Sequence, residues 1–134
     1  IDGQGGGIGK NLVEKIKERF GDKVLVLALG TNSVATSLMM RSGADEGASG
    51  ENAIRVNAPK VDLIVGSVGI LSANAMLGEL SPAMAEAIAA SPAKKILIPL
   101  NRCNLLVTGT GGQGLPAHVE EAVAWIAKEL ESRT

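Results

Sequence analysis

Five of the seven residues at positions 3–9 are glycine, and a helical hydrophobic pattern begins before the run has ended. The stretch Asp2-Gly3-Gln4-Gly5-Gly6-Gly7-Ile8-Gly9-Lys10 limits the chain to few folds. Glycines at this density let a backbone reverse from strand to helix at close quarters, and they leave bare amides and the positive end of a helix dipole facing an anion. A tight turn alone needs fewer glycines, so a phosphate is the expected occupant, with a purely structural turn as the alternative. Such turns normally follow a buried strand. The opening Ile1-Asp2 therefore predicts a first strand cut short at Ile1.

Beyond the turn, two hydrophobic periods alternate. Over residues 8–20, Ile8, Leu12, Val13, Ile16 and Phe20 recur at helical spacing, with Lys10, Glu14, Lys17 and Glu18 on the remaining surface. Residues 23–29 form a short apolar run, as in a strand buried on both faces. A helix through Val34, Leu38 and Met39 closes near Gly43, and residues 44–50 read as a surface loop leading to a short turn or helix over 51–57. Residues 61–65 and 95–100 are further strands, and 105–108 is a weaker candidate for one. Ser81-Pro82 has the form of an N-cap followed by proline at the first helical position. A helical turn is expected over 73–80 before it. The last helix opens near Pro116, with Val119, Val123, Ile126 and Leu130 on one stripe. This alternation predicts one Rossmann-like α/β domain over residues 1–134, a three-layer α/β/α arrangement with a parallel sheet of about four to five strands. Ligands of such sheets lie beyond the carboxyl ends of the strands, where the loops converge.

Composition narrows the partners. A chain of 134 residues with 46% hydrophobic and 20% charged residues carries enough apolar surface for a core of its own. Thirteen basic against fourteen acidic residues leave a net charge of -1, which supplies no broad field for a polyanion. Neither nucleic acid nor a membrane is expected as a partner. The single cysteine, Cys103, cannot form an internal disulfide, and the sequence shows neither a charged-then-apolar leader nor a long apolar run. A cytoplasmic location is expected.

Two phosphate-binding signatures fail on the turn. The dinucleotide spacing G-x-G-x-x-G needs glycine where Ile8 stands, and the P-loop needs Ser or Thr where Asn11 follows Gly9-Lys10. What fits is Gly3-x-x-x-Gly7-Ile8-Gly9, which resembles the cofactor turn of short-chain dehydrogenases. Residues 62–70, with Gly66 and Ser67, are similar to the strand and loop that carry the Asn-Asn-Ala-Gly motif of that family, although the asparagines are replaced. The resemblance implies a nucleotide pocket but not dehydrogenase chemistry. That reaction uses a tyrosine, and the chain has none. Nor does an acidic or basic residue end the second strand, where Gly30-Thr31-Asn32 stands in place of a ribose or phosphate ligand. NAD(P) or another nucleotide thus remains an open choice of cofactor. Taken end to end, through residues 1–10, 28–32, 43–54 and 95–104, the chain resembles a small bacterial family, found chiefly in Firmicutes, that is known as domain of unknown function 3842. The resemblance implies a Rossmann-like fold and carries no activity to transfer.

The candidate binding residues are Gly3, Gln4, Gly5, Gly6, Gly7, Ile8 and Gly9 in the turn, Thr31 and Asn32 after the second strand, and Gly66 and Ser67 after the third. Asn101 and Arg102 follow the fourth, where Arg102 is a candidate clamp for a phosphate or carboxylate and a surface ion pair is its alternative. Asn74 is a weaker candidate. Cys103 is a candidate nucleophile, although a buried inert thiol is the simpler reading. Asp45, Glu46 and Glu51 are candidates for a divalent ion or a ribose, or are only a solvated loop. The lone His118 has no partner for a metal site. It shares a helix face with Trp125, which is either a surface for homodimer formation or core-edge packing. Two functions follow. One is a module that binds a nucleotide or other phosphate-bearing small ligand without chemistry of its own. The alternative is a small enzyme on a nucleotide-type or phosphorylated substrate, with Arg102 as clamp and Cys103 or Glu79 as reactive group.

Overall fold

The computed structural model describes residues 1–100 and 104–133. Among them the order of elements is α1 (Gly7–Phe20), β1 (Leu27–Gly30), α2 (Ser33–Arg41), β2 (Glu46–Ser49), α3 (Glu51–Asn57), β3 (Leu63–Ser67), α4 (Pro82–Ala90), β4 (Lys94–Ile98) and α5 (Leu115–Ser132). The strands form two parallel pairs, β1 with β2 and β3 with β4. Leu27 stands opposite Glu46 in the first pair and Leu63 opposite Lys94 in the second. The described residues thus make a mixed α/β structure with two small parallel sheets. The first two residues run between these pairs. The Ile1 nitrogen donates to the Val65 carbonyl at 2.9 Å, and the Asp2 N–H donates to the Leu29 carbonyl at 3.2 Å while the Asp2 carbonyl accepts from Thr31 at 3.0 Å.

Side chains alternate across the strands as a sheet covered on both sides requires. Leu29 and Ile64 enter one apolar cluster with Ile54 of α3 and Met84 and Ile88 of α4. Ile96 and Ile98, with Leu63 and Val65 packed alongside, join Leu12 and Ile16 of α1 and the stripe Val119, Val123, Ile126 of α5. Ala28 belongs to a third cluster with Val13 and Met39. The last-helix stripe expected from the sequence is therefore buried, with Leu130 partly so. Ser81 caps α4 as expected, its hydroxyl accepting from the Met84 N–H at 3.2 Å. Among the described helices none is long and apolar enough to cross a membrane.

Five expectations change. Residues 46–49, expected as loop, form β2: the strand is mostly exposed and is held by backbone pairing to β1, so it carries no apolar alternation. Leu27 starts the strand expected at 23, because residues 21–23 take a 3-10 turn and β2 offers only four partners. The helical turn expected over 73–80 is instead a chain of turns with left-handed backbone at Asn74 (φ 67°), Met76 (φ 60°) and Leu77 (φ 57°). Residues 105–108 are not a strand. The expected continuous sheet of four to five strands is, in the described hydrogen-bond ladders, two pairs with Asp2 bridged to Gly30.

Candidate functional site

The glycine-rich turn is tied down by the acid that precedes it. Asp2 is 5% exposed. One of its carboxylate oxygens accepts from the Gly3 N–H at 2.8 Å and the other from the Gly9 N–H at 2.7 Å, so a single side chain clips the start of the turn to the first turn of α1. The Gly6 N–H closes on the Gly3 carbonyl at 3.0 Å. Gly6 itself has φ 77°, and a Cβ there would lie 2.9 Å from the Ala35 backbone. Only glycine fits that position.

The five glycines sort into two kinds by what surrounds them. A Cβ on Gly3 would collide with Met76 and Thr31, and one on Gly9 with Met39 and Asp2. With Gly6, these residues are required by packing. Gly5 and Gly7 are not: a Cβ at either would meet nothing within 4 Å. Both face a cleft of about 790 Å³, a size within the usual range for small-molecule sites, roughly 300–1,000 Å³. Gly3, Gln4, Gly5, Gly6, Gly7 and Ile8 form one wall. Ser67 at the end of β3 and Gly69 just after it, the 72–77 segment, and Leu100, Asn104 and Leu115 form the others.

Helix α1 points its N-terminus at this cleft without a side-chain cap and without an acid in its first turn. The first amides of a helix have no partner within it. Here Gly9 gives its N–H to Asp2 and Lys10 gives its own to the Gly6 carbonyl at 2.9 Å. The Gly7 and Ile8 amides remain, donors with the positive end of the helix dipole behind them. Asp2 is the charged side chain among the described residues of the lining. Any anion bound there would be held chiefly by backbone amides.

Beside the turn, Thr31 and Asn32 converge on a carboxylate. Glu79 Oε1 accepts from the Gln4 N–H at 2.8 Å, the Thr31 hydroxyl at 2.7 Å and Asn32 Nδ2 at 2.7 Å. The backbone amide of Gln4, then the Thr31 hydroxyl, hold the Glu79 carboxyl below its ordinary pKa; burial opposes them, and the Asn32 amide adds a lesser lowering. Asn32 also caps α2, its Oδ1 accepting from the Ala35 N–H at 2.9 Å.

Of the residues singled out in the sequence, the six at positions 3–8, Ser67 and Asn74 share the cleft, whereas Thr31 and Asn32 do not line it. Gly9 lies behind the wall, and Gly66 fills a gap where a Cβ would sit 2.7 Å from the Ile1 carbonyl. Asn101, Arg102 and Cys103 lie outside the described residues, although Leu100 and Asn104 on either side of them line the cleft. Asp45, Glu46 and Glu51 do not gather. Asp45 pairs with Lys17 at 2.9 Å and accepts from the Val26 N–H, Glu51 accepts from the Ser81 hydroxyl at 2.6 Å, and Glu46 is exposed. Among the described residues no group of His, Cys, Asp and Glu is placed to hold a metal ion. His118 is buried and Trp125 half-exposed, both on a separate groove between β4 and α5. The sequence reading passed over Asp2 as a clip for the turn and the 72–77 segment as a wall. An acid directly before a glycine run was a usable signal for the first; the left-handed stretch offered only Asn74 and Gly78.

Comparison with curated proteins and with solved structures finds no match. The family model described as "Domain of unknown function (DUF3842)" matches residues 1–131, nearly the whole length, and the chain belongs to that family.

Proposed function

We propose that this protein binds a nucleotide or another phosphate-bearing small ligand, with the phosphate on the amides of Gly5, Gly7 and Ile8. The observation that carries the reading is the bareness of Gly5 and Gly7. Neither packing nor a left-handed backbone requires glycine there, whereas a ligand pressed against the backbone does. NAD(P) is one candidate among nucleotides, bound without the tyrosine chemistry of the short-chain dehydrogenases.

The same reading joins the two strand pairs into one Rossmann-like sheet. Ile1-Asp2 hydrogen-bonds to β3 on one side and β1 on the other, giving the spatial order β2, β1, Ile1-Asp2, β3, β4. Helix α1 packs with α2 and α5, and α3 packs with α4, as expected if the helices cover opposite faces. In this order the glycine turn leaves the central strand at the point where the strand sequence reverses, the usual place for a ligand. The lone cysteine fits a bacterial cytoplasmic setting.

The test is a thermal-shift screen of the protein against NAD, NADP, adenine and guanine nucleotides, nucleotide sugars and inorganic phosphate. Ligand at a hundredfold its dissociation constant adds about 2.7 kcal/mol of stability, which raises the melting temperature by several degrees. No shift with any phosphate-bearing compound would contradict the proposal.

A further inference from the structure

On the β1 side of the glycine turn, the polar groups are already spent within the chain. The Thr31 hydroxyl has one proton to give and gives it to Glu79 Oε1 at 2.7 Å. Asn32 donates from Nδ2 to the same oxygen at 2.7 Å and to the Gln4 carbonyl at 3.0 Å, and its Oδ1 accepts from the Ala35 N–H. The Gln4 N–H completes the set on Oε1 at 2.8 Å. The segment that carries Glu79 also lays Met76 against Gly3, so closely that a Cβ there would strike its sulfur. This side of the turn is filled by the chain itself, and none of Thr31, Asn32 and Glu79 lines the cleft.

The side toward β3 is open. Ser67 follows Leu63 and Val65 at a spacing of two, and those residues pack on the cluster of α1 and α5, so the Ser67 side chain faces the same way. It lines the cleft while only 8% exposed, and its hydroxyl has no hydrogen-bond partner among the described residues. A buried hydroxyl is rarely left unmatched in a folded chain. The cleft thus offers amides for an anion on one wall, a hydroxyl for a polar group on another, and apolar surface from Met76, Leu100 and Leu115.

A dinucleotide in a doubly wound sheet spans both sides of the point where the strand order reverses, and here only one side is free. We infer that the site takes a phosphomonoester of a single small unit, a sugar phosphate or a mononucleotide, and excludes dinucleotides. Its phosphate lies on the glycine turn and a polar group of its body on Ser67. This rests on the proposed phosphate site and narrows its ligand class, setting NAD(P) aside. A dinucleotide would have to displace Glu79 from three donors or bring its second half against an ionised carboxylate.

The test is calorimetric titration of wild type and Ser67→Ala with inorganic phosphate, ribose 5-phosphate, AMP, GMP, NAD and ADP-ribose, with circular dichroism as the check on folding. Wild type should bind at least one of the three monoesters about tenfold or more tightly than inorganic phosphate, and about tenfold or more tightly than NAD or ADP-ribose. Ser67→Ala should weaken that monoester about two- to tenfold, the loss of one hydrogen bond, and bind inorganic phosphate as the wild type does. NAD or ADP-ribose bound as tightly as the best monoester, monoesters bound no better than inorganic phosphate, or a monoester affinity untouched by Ser67→Ala would each overturn the inference while leaving the phosphate site standing. Failure of every compound, inorganic phosphate included, would overturn the phosphate site and this inference with it.

Discussion

Gly7 and Gly9 stand two positions apart, and the structure assigns them opposite consequences. A valine at Gly7 enters open space at the first position of α1. Gly7→Val should keep the fold, with stability changed by less than about 1 kcal/mol, and should lose ligand binding. Gly9→Val drives a side chain into Met39 and the Asp2 Cβ and should destabilise by about 1–3 kcal/mol or more; urea midpoints compare the two. Asp2→Ala strips the acceptors from two buried amides, each left unsatisfied at about 1–3 kcal/mol, so its urea midpoint should fall clearly below that of wild type. Two carboxylates also predict a pH dependence. Asp45 is held below its ordinary pKa of 3.8 chiefly by the Val26 amide and then by Lys17, and Glu79 below 4.5 chiefly by the Gln4 amide. Each binds a proton less readily folded than unfolded. Their stabilisation is therefore whole above those ordinary values and is lost as pH falls through the lower folded ones. Urea midpoints between about pH 5 and pH 3 should fall less steeply for Asp45→Asn than for wild type.

At the scale of elements, the legible pieces were those in which burial writes a period into the sequence. Helices α1, α4 and α5 followed from apolar spacing and from the Ser81-Pro82 start, and β3 and β4 from short apolar runs. What was illegible is held by something other than side-chain burial. β2, with the sequence Glu46-Gly47-Ala48-Ser49, keeps its place through backbone pairing with β1 and through Gly47, where a Cβ would strike Met40. The left-handed residues Met76 and Leu77 lie in a segment closed by its own turn bonds and packed on the glycine turn, where Met76 covers Gly3, and no local propensity favours that backbone in either residue. Within α4, Ile88 is fully buried in the cluster shared with α3 and Leu80. Ile88→Ala should cost about 2–5 kcal/mol, read from the denaturation midpoint. A loss below about 1 kcal/mol would mean that this face of α4 is less closely packed than described.

For the whole molecule, alternating periods predicted an α/β fold with loops converging at one end, and the glycine turn marked where a ligand would sit. The acid beside the turn was less legible, because Glu79 reaches the Gln4 amide across 75 residues of chain and no local pattern announces it. Whether the strand pairs act as one sheet has its own test. If Ile1-Asp2 serves as the central strand, the amides of Asp2 and Thr31 should exchange with deuterium as slowly as those of β1 and β3; fast exchange at both would leave two separate ladders.

The most direct test of the central claim is an amide chemical-shift titration of isotopically labelled protein with inorganic phosphate and then with a ribonucleotide. Saturable shifts centred on Gly5, Gly7 and Ile8, absent in Gly7→Val, are the predicted result. Unmoved turn amides, or shifts confined to the groove between β4 and α5 that holds His118 and Trp125, would contradict it.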